Sequence, residues 1–365
     1  MGTLRTIFAL SVVFTHSWPG GMMFVGGQNA VQLFYIISGF LISYVLVESR
    51  TYSSVRTFYI NRYLRLYPIY FFVAAPALAV IVVMNPSQFL TVYHEIPTAA
   101  IFLLVVSNLL MFGQDWVMFS GIQHGQLVFS TDFQHSEVLL YHGLLIPQAW
   151  TLGLELTFYL IAPFVLPNRR SIYVLLIASI ALRIYLIGIG LGTNDPWTYR
   201  FFPAELAFFL IGALAHQVLR PFYQKLFPDN QLLVASLATY LLIALSLCYF
   251  LIPLRELYRA LLLFGAFVLL VPLAFVFQRR SRLDVWIGNL SYPIYIGHLL
   301  MIGVASQALN IFGVGNQRMI SIVSAVLSLV FAILLNFAIG APFERIRGNI
   351  KPYKSKTIQR KVPAI

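Results

Sequence analysis

The chain is short of charge, shorter of acid, and nearly without sulfur chemistry. Only 10% of its 365 residues are Asp, Glu, Lys or Arg, against about 25% in a soluble domain. Its single cysteine, Cys248, lies inside an apolar run, which excludes an intrachain disulfide and a thiolate metal site. No polar segment is long enough to bury a core of its own, so a separate soluble domain is not expected. Twelve acidic residues stand against 24 basic ones. That excess sits in short segments between apolar runs, which argues against a nucleic-acid partner and for the anionic face of a membrane.

What the chain has is hydrophobic length: 59% of residues are apolar and the mean hydropathy is +0.82. Apolar stretches run over 3–18, 29–47, 68–84, 97–113, 148–166, 171–190, 201–219, 231–251, 257–277, 286–311 and 319–340. Basic residues concentrate in 48–67, 167–170, 220–230, 278–285 and the tail after 340, whereas 19–28, 85–96 and 114–147 hold none. Placing the basic segments in the cytoplasm gives a consistent alternation except around 97–113, which has no basic residue on either side. Treated as non-spanning, it leaves about ten transmembrane helices with both termini cytoplasmic. The expectation is an all-α polytopic bundle in the cell (inner) membrane: one integral-membrane domain over 1–345 and a basic cytoplasmic tail over 346–365. Residues 53–66, with Arg62 and Arg65 three apart, read as a cytoplasmic interfacial helix. They form either a topology-setting anchor or a site for phosphate.

The first eighteen residues organise the rest. Their apolar helical pattern is broken by Arg5 and His16. Eleven residues at about 100° each return to the same face, with roughly 16 Å between them along the axis. Such a pair should face protein or a water-filled cavity, not lipid. A secretory signal peptide has a similar outline, but Ser17-Trp18-Pro19 is a poor cleavage site.

Other polar groups inside apolar stretches are candidates by default. Glu155 is placed to orient the His16 imidazole or hold it charged, or to pair with Arg200 or another structural partner. His298 shares a face with Tyr295 and Tyr292 and, as an alternative to Glu155, would orient His16 or bind the acceptor. Gly39, after Ser38, permits close backbone approach, for packing or for a ligand. The loop 114–147 carries Asp115, His124, Asp132, His135, Glu137 and His142 without a tight ligand spacing, so no metal is expected.

Taken in order, several motifs form a set: Arg5 with His16, Leu33-Phe34-Tyr35 through Ser38-Gly39-Phe40, Arg62-Tyr63-Leu64-Arg65-Leu66-Tyr67-Pro68, Trp150-Thr151-Leu152 with Glu155, and Ser291-Tyr292 with Tyr295 and His298. The set resembles the membrane-bound acyltransferase family 3, of the polysaccharide O-acetyltransferase type, over nearly the whole chain. The resemblance implies transfer of an acyl group, usually acetyl, from cytoplasmic acyl-CoA to a saccharide hydroxyl on the far side, with membrane lipid as surroundings and no permanently bound cofactor. It implies catalytic roles for Arg5 and His16. Glu155 joins them as a candidate; Ser38, Gly39, Arg62, Arg65, Trp150, Tyr292, Tyr295 and His298 are candidate substrate contacts. The chain departs from the family at Gln32, where a carboxylate is common. The alternative reading is a proton-coupled transporter or a flippase for a lipid-linked saccharide.

Overall fold

A computed structural model describes residues 1–18, 20, 23–49, 52, 54–84 and 86–350. Arg50 and residues 351–365 of the basic tail lie outside the described residues. In chain order the helices are α1 (Gly2–Ser17), α2 (Gly27–Ser43), α3 (Val55–Met84), α4 (Pro86–Glu95), α5 (Thr98–Leu110) and α6 (Gln114–Val117). A small hairpin follows, β1 (Ser120–Gln123) against β2 (Gln126–Phe129), antiparallel. Then come α7 (Trp150–Val165), α8 (Arg169–Gly188), α9 (Phe202–Leu214), α10 (Arg220–Leu226), α11 (Gln231–Leu247), α12 (Glu256–Arg280), α13 (Arg282–Ile311), α14 (Gln317–Leu335) and α15 (Ala341–Asn349). Short π-helical segments extend α2 to Glu48, join α9 to α10, and join α14 to α15.

Every apolar stretch in the sequence is a helix, because an apolar medium leaves a chain no other way to satisfy its backbone locally. Among the described residues, seven helices are long and apolar enough to cross a membrane. The expected count of about ten also needs α1, α7 and α11, which have 16, 16 and 17 residues. At ~1.5 Å per residue these reach about 24–26 Å.

Side-chain contacts gather the basic segments at one end of the bundle. Arg220 and His216 meet Glu48. Arg169 donates to the Gln217 carbonyl at 2.9 Å, Arg347 reaches Asn61 at 3.1 Å, and Arg279 lies over the Tyr44 ring. The opposite face carries the 111–149 segment, tied to the loop before α9 by Trp197 Nε1 donating to Thr131 O at 3.0 Å.

The stretch expected as an interfacial helix is continuous with the span that follows. Val55–Met84 is one 30-residue helix through Pro68 and Pro76. At roughly 45 Å it exceeds the ~30 Å hydrocarbon core, so its first turns extend beyond the apolar layer on the basic face.

Helix α5 has only 13 residues and ends against the middle of α3. There the Tyr67 hydroxyl donates to Leu110 O and the Tyr70 hydroxyl to Asn108 O at 2.8 Å. Left-handed backbone at Met111 and Gly113 then turns the chain back toward the hairpin. A helix end at that depth has carbonyls without intrahelical partners, and the two tyrosines satisfy them. Asn108 continues the task, donating to Gly143 O at 2.9 Å and accepting from Leu145 N at 2.9 Å. The 139–146 segment is thereby drawn into the bundle.

One seam brings α2 and α9 into backbone contact at two points. A Cβ added to Gly39 of α2 would sit 1.8 Å from Phe209 O of α9, and one added to Gly212 of α9 would sit 2.0 Å from Ile36 O. Neither contact can yield without separating the helices. Gly39→Val is therefore expected to lower the melting temperature of the detergent-purified protein sharply, since overpacking alone costs about 1–3 kcal/mol. Gly265→Ala, with nothing within 4 Å of the new carbon, is expected to leave it unchanged or raised.

Candidate active site

The site is built on α1. Its first N–H groups would be orphans, and a carboxylate from another helix takes them. Gly2 N and Thr3 N donate to Asp284 of α13 at 2.8 Å each, and the Thr3 hydroxyl joins at 2.7 Å. The negative charge also suits the positive end of the helix. Gly2 and Gly288 then allow backbone contact: a Cβ on Gly2 would fall 1.7 Å from Asp284 O. Thr6 donates to Ile287 O at 2.7 Å, extending the seam by one turn. At its far end the rings of His16 and His298 lie 4.9 Å apart, with His16 Nδ1 and His298 Nε2 at 3.2 Å.

Among the described residues, three cavities follow this seam. On the basic face, one of about 530 Å³ is lined by Arg5, Arg65, Tyr292, Asn336, Arg345 and Arg347, among others. Beyond it lies a small one of about 80 Å³, lined by Arg5, Ser38, Arg62, Arg65, Glu155 and Tyr295, among others. Arg5, Arg65 and Tyr292 border both, so they mark the junction. The third, about 570 Å³, opens on the opposite face and includes His16, Gln148, Trp150, Phe133, Tyr141 and Arg200. His16 is exposed into it, while His298 behind it has no exposed surface.

The second and third cavities are parted by a hydrogen-bonded wall. Thr151 Oγ1 donates to the Tyr295 hydroxyl at 2.8 Å, and that hydroxyl donates to Gln148 O at 3.1 Å. On the rim of the third cavity, Arg200 makes a two-point pair with Asp195 at 2.5 and 3.0 Å and lies 4.3 Å over the Trp150 ring. Burial pushes the Tyr199 hydroxyl above its ordinary value and the His142 imidazole below its own. The rim is thus polar and aromatic, with Arg200 already balanced by a carboxylate.

The model of the acyltransferase domain of family 3 matches residues 2–341. The chain belongs to this acyltransferase family. No curated protein and no solved structure matches it. It is a multi-pass membrane acyltransferase, and the cavities can be read accordingly.

In this acyltransferase, Arg5 and His16 both lie on the cavity side of α1, but in different cavities. Of the two residues expected to orient His16, Glu155 and His298, Glu155 does not meet it. The Glu155 carboxylate accepts from Ser38 Oγ at 2.7 Å and from the Tyr159 hydroxyl, and His298 is the ring that meets His16. Nor does Glu155 pair with Arg200, which Asp195 has taken. No single cavity joins the basic face to His16: the Tyr295–Thr151–Gln148 wall interrupts the path.

Ser38, Arg65, Tyr292 and Tyr295 border the first two cavities, and Trp150 borders the third. Gly39 lies on the α2–α9 seam, away from all three. Arg62 lines the small cavity, but its guanidinium is engaged with Tyr52 at 2.6 Å and Asn61 at 3.1 Å. Gln32 donates to the buried Glu205 at 3.2 Å, which also holds Arg183; it contacts neither Arg5 nor His16. Arg345, Arg347, Gln148 and Asp284 had no signal in the sequence beyond residue type, because only the fold brings them here.

In sealed vesicles, Ser38→Cys is expected to react with a membrane-impermeant thiol reagent from the basic face only. Adding Tyr295→Ala removes the wall and should make it reactive from both faces. One-sided labelling of the double variant would mean that other groups part the cavities.

Proposed function

We propose that this acyltransferase moves an acyl group, acetyl foremost, from acyl-CoA on the basic, cytoplasmic face to a hydroxyl of a cell-surface or lipid-linked saccharide entering from the other side. The observation that carries the reading is the arrangement along α1. Arg5 borders the cavities of the basic face, and His16, about 16 Å farther along, borders the cavity of the opposite one.

Acyl-CoA is polyanionic at its nucleotide end. Arg5, Arg65, Arg345 and Arg347 around the larger basic cavity suit phosphate oxygens, which guanidinium groups bind through paired N–H donors. The small volume of the middle cavity favours a short acyl group. On the other side, Trp150, Phe133 and Tyr141 offer apolar faces beside polar groups, a surface that suits a sugar ring.

His16 serves as the general base. Its Nε2 takes the proton of the acceptor hydroxyl as that oxygen attacks the thioester carbonyl carbon. The tetrahedral adduct collapses, the C–S bond breaks, and the proton passes from His16 to the sulfur. The products are an ester and free CoA thiol, with the imidazole neutral again. Proximity of the two substrates supplies much of the rate. The Tyr295–Thr151–Gln148 wall must part for the carbonyl to reach His16, which keeps water from the thioester until then.

His16→Ala is expected to cut transfer by 10²–10⁴-fold or more while leaving folded protein in the membrane. Acyl-CoA consumption and mass spectrometry of the acceptor glycan read the loss. Undiminished turnover would remove the base from the mechanism. Arg345→Glu is expected to raise the donor KM about tenfold or more, the scale of one charge-assisted contact, with kcat little changed.

A further inference from the structure

We propose that His298 is a positioning residue: it holds His16 in the Nδ1–H form, so that Nε2 faces the cavity as a bare base. The inference rests on reading His16 as the base, and it assigns the tautomer that such a base requires.

The assignment follows from which atoms can only accept. His298 Nδ1 lies 2.6 Å from Tyr295 O. A carbonyl has no proton to give, so that nitrogen carries the hydrogen. A neutral imidazole has one N–H, so His298 Nε2 presents a lone pair. It faces His16 Nδ1 at 3.2 Å, where a second lone pair would repel it. His16 Nδ1 therefore carries a proton and donates. Val12 O, 3.0 Å from the same nitrogen, requires that proton independently. Both nitrogens of His298 and one of His16 are then committed, leaving His16 Nε2.

The arrangement also acts when the reaction needs it. On taking the acceptor's proton, His16 becomes a cation, and its bond to His298 Nε2 becomes charge-assisted and stronger. Stabilisation that grows with developing charge lowers the barrier, where uniform binding would not. Because His298 has no exposed surface, no water replaces it on that side. Tyr295 links the parts: its carbonyl sets the His298 proton and its hydroxyl belongs to the wall.

A glutamine at 298 can reproduce both bonds, with its N–H toward Tyr295 O and its carbonyl oxygen accepting from His16. An alanine reproduces neither. His298→Ala is expected to lower turnover at saturating acyl-CoA by on the order of 10²-fold or more, the scale seen when a catalytic imidazole loses its orienting partner, with the donor KM within about twofold. His298→Gln should recover most of that loss. Imidazole ¹⁵N spectra of the unsubstituted full-length chain in nanodiscs, assigned by the signal missing in His16→Ala, should show His16 protonated on Nδ1 and bare on Nε2. This measurement stands even if the alanine variant does not fold. A His16 Nε2–H signal, wild-type turnover in His298→Ala, or a glutamine variant no better than alanine would overturn the proposal. Full activity in His16→Ala would instead sink the general-base reading, and the tautomer measurement would still decide the geometry.

Discussion

Two glycines let α1 and α13 meet backbone to backbone, and the remainder of the site follows from that contact. With Gly2 against Asp284 and Gly288, no side chain separates the helices at the basic end. The Asp284 carboxylate can then take the free N–H groups of α1. Once the start of α1 is held, its axis carries Arg5 past the basic cavities and His16 to the third. The same axis sets His298 behind His16. A shift between these helices by one residue would turn His16 by about 100° and separate the two rings. Hydrogen bonds at one end therefore control the geometry of an imidazole at the other.

A second constraint is the solvent. In an apolar medium an unpaired backbone group is costly, and the fold meets this with buried side chains. The end of α5 is the clearest case. It stops beside the middle of α3, where two tyrosine hydroxyls and Asn108 take over from the helix ladder. The same residues draw the 139–146 segment inward, where it becomes a wall of the cavity that holds His16. Satisfying one interrupted helix thus shapes the surface beside His16.

Periodicity made much of this legible. Each apolar stretch could be read as a helix from its length and composition, including 97–113, whose lack of basic neighbours on either side set it apart. The eleven-residue spacing of Arg5 and His16 placed both on one side of a helix, and the cavities lie on that side. Partners were harder to read. Glu155 was a candidate partner for His16, yet its Oε1 accepts from both Ser38 and Tyr159. Arg200 was a possible partner for Glu155, but Asp195 lies five residues before it and holds it. The arginines of α15 looked like a plain basic tail until the chain folded them onto Asn61 and the entrance beside Arg65.

The linear order of residues was enough to determine a helical membrane protein, a basic end and an opposite end, and a one-sided arginine–histidine pair. These properties arise from hydropathy, helical period and charge counting, all of which act within a single segment. The tertiary structure alone decided which groups meet: Asp284 on the start of α1, His298 on His16, and Tyr295 with Thr151 across the path. Those contacts join residues more than a hundred positions apart. They depend on how closely two backbones can approach, and no local pattern records that distance.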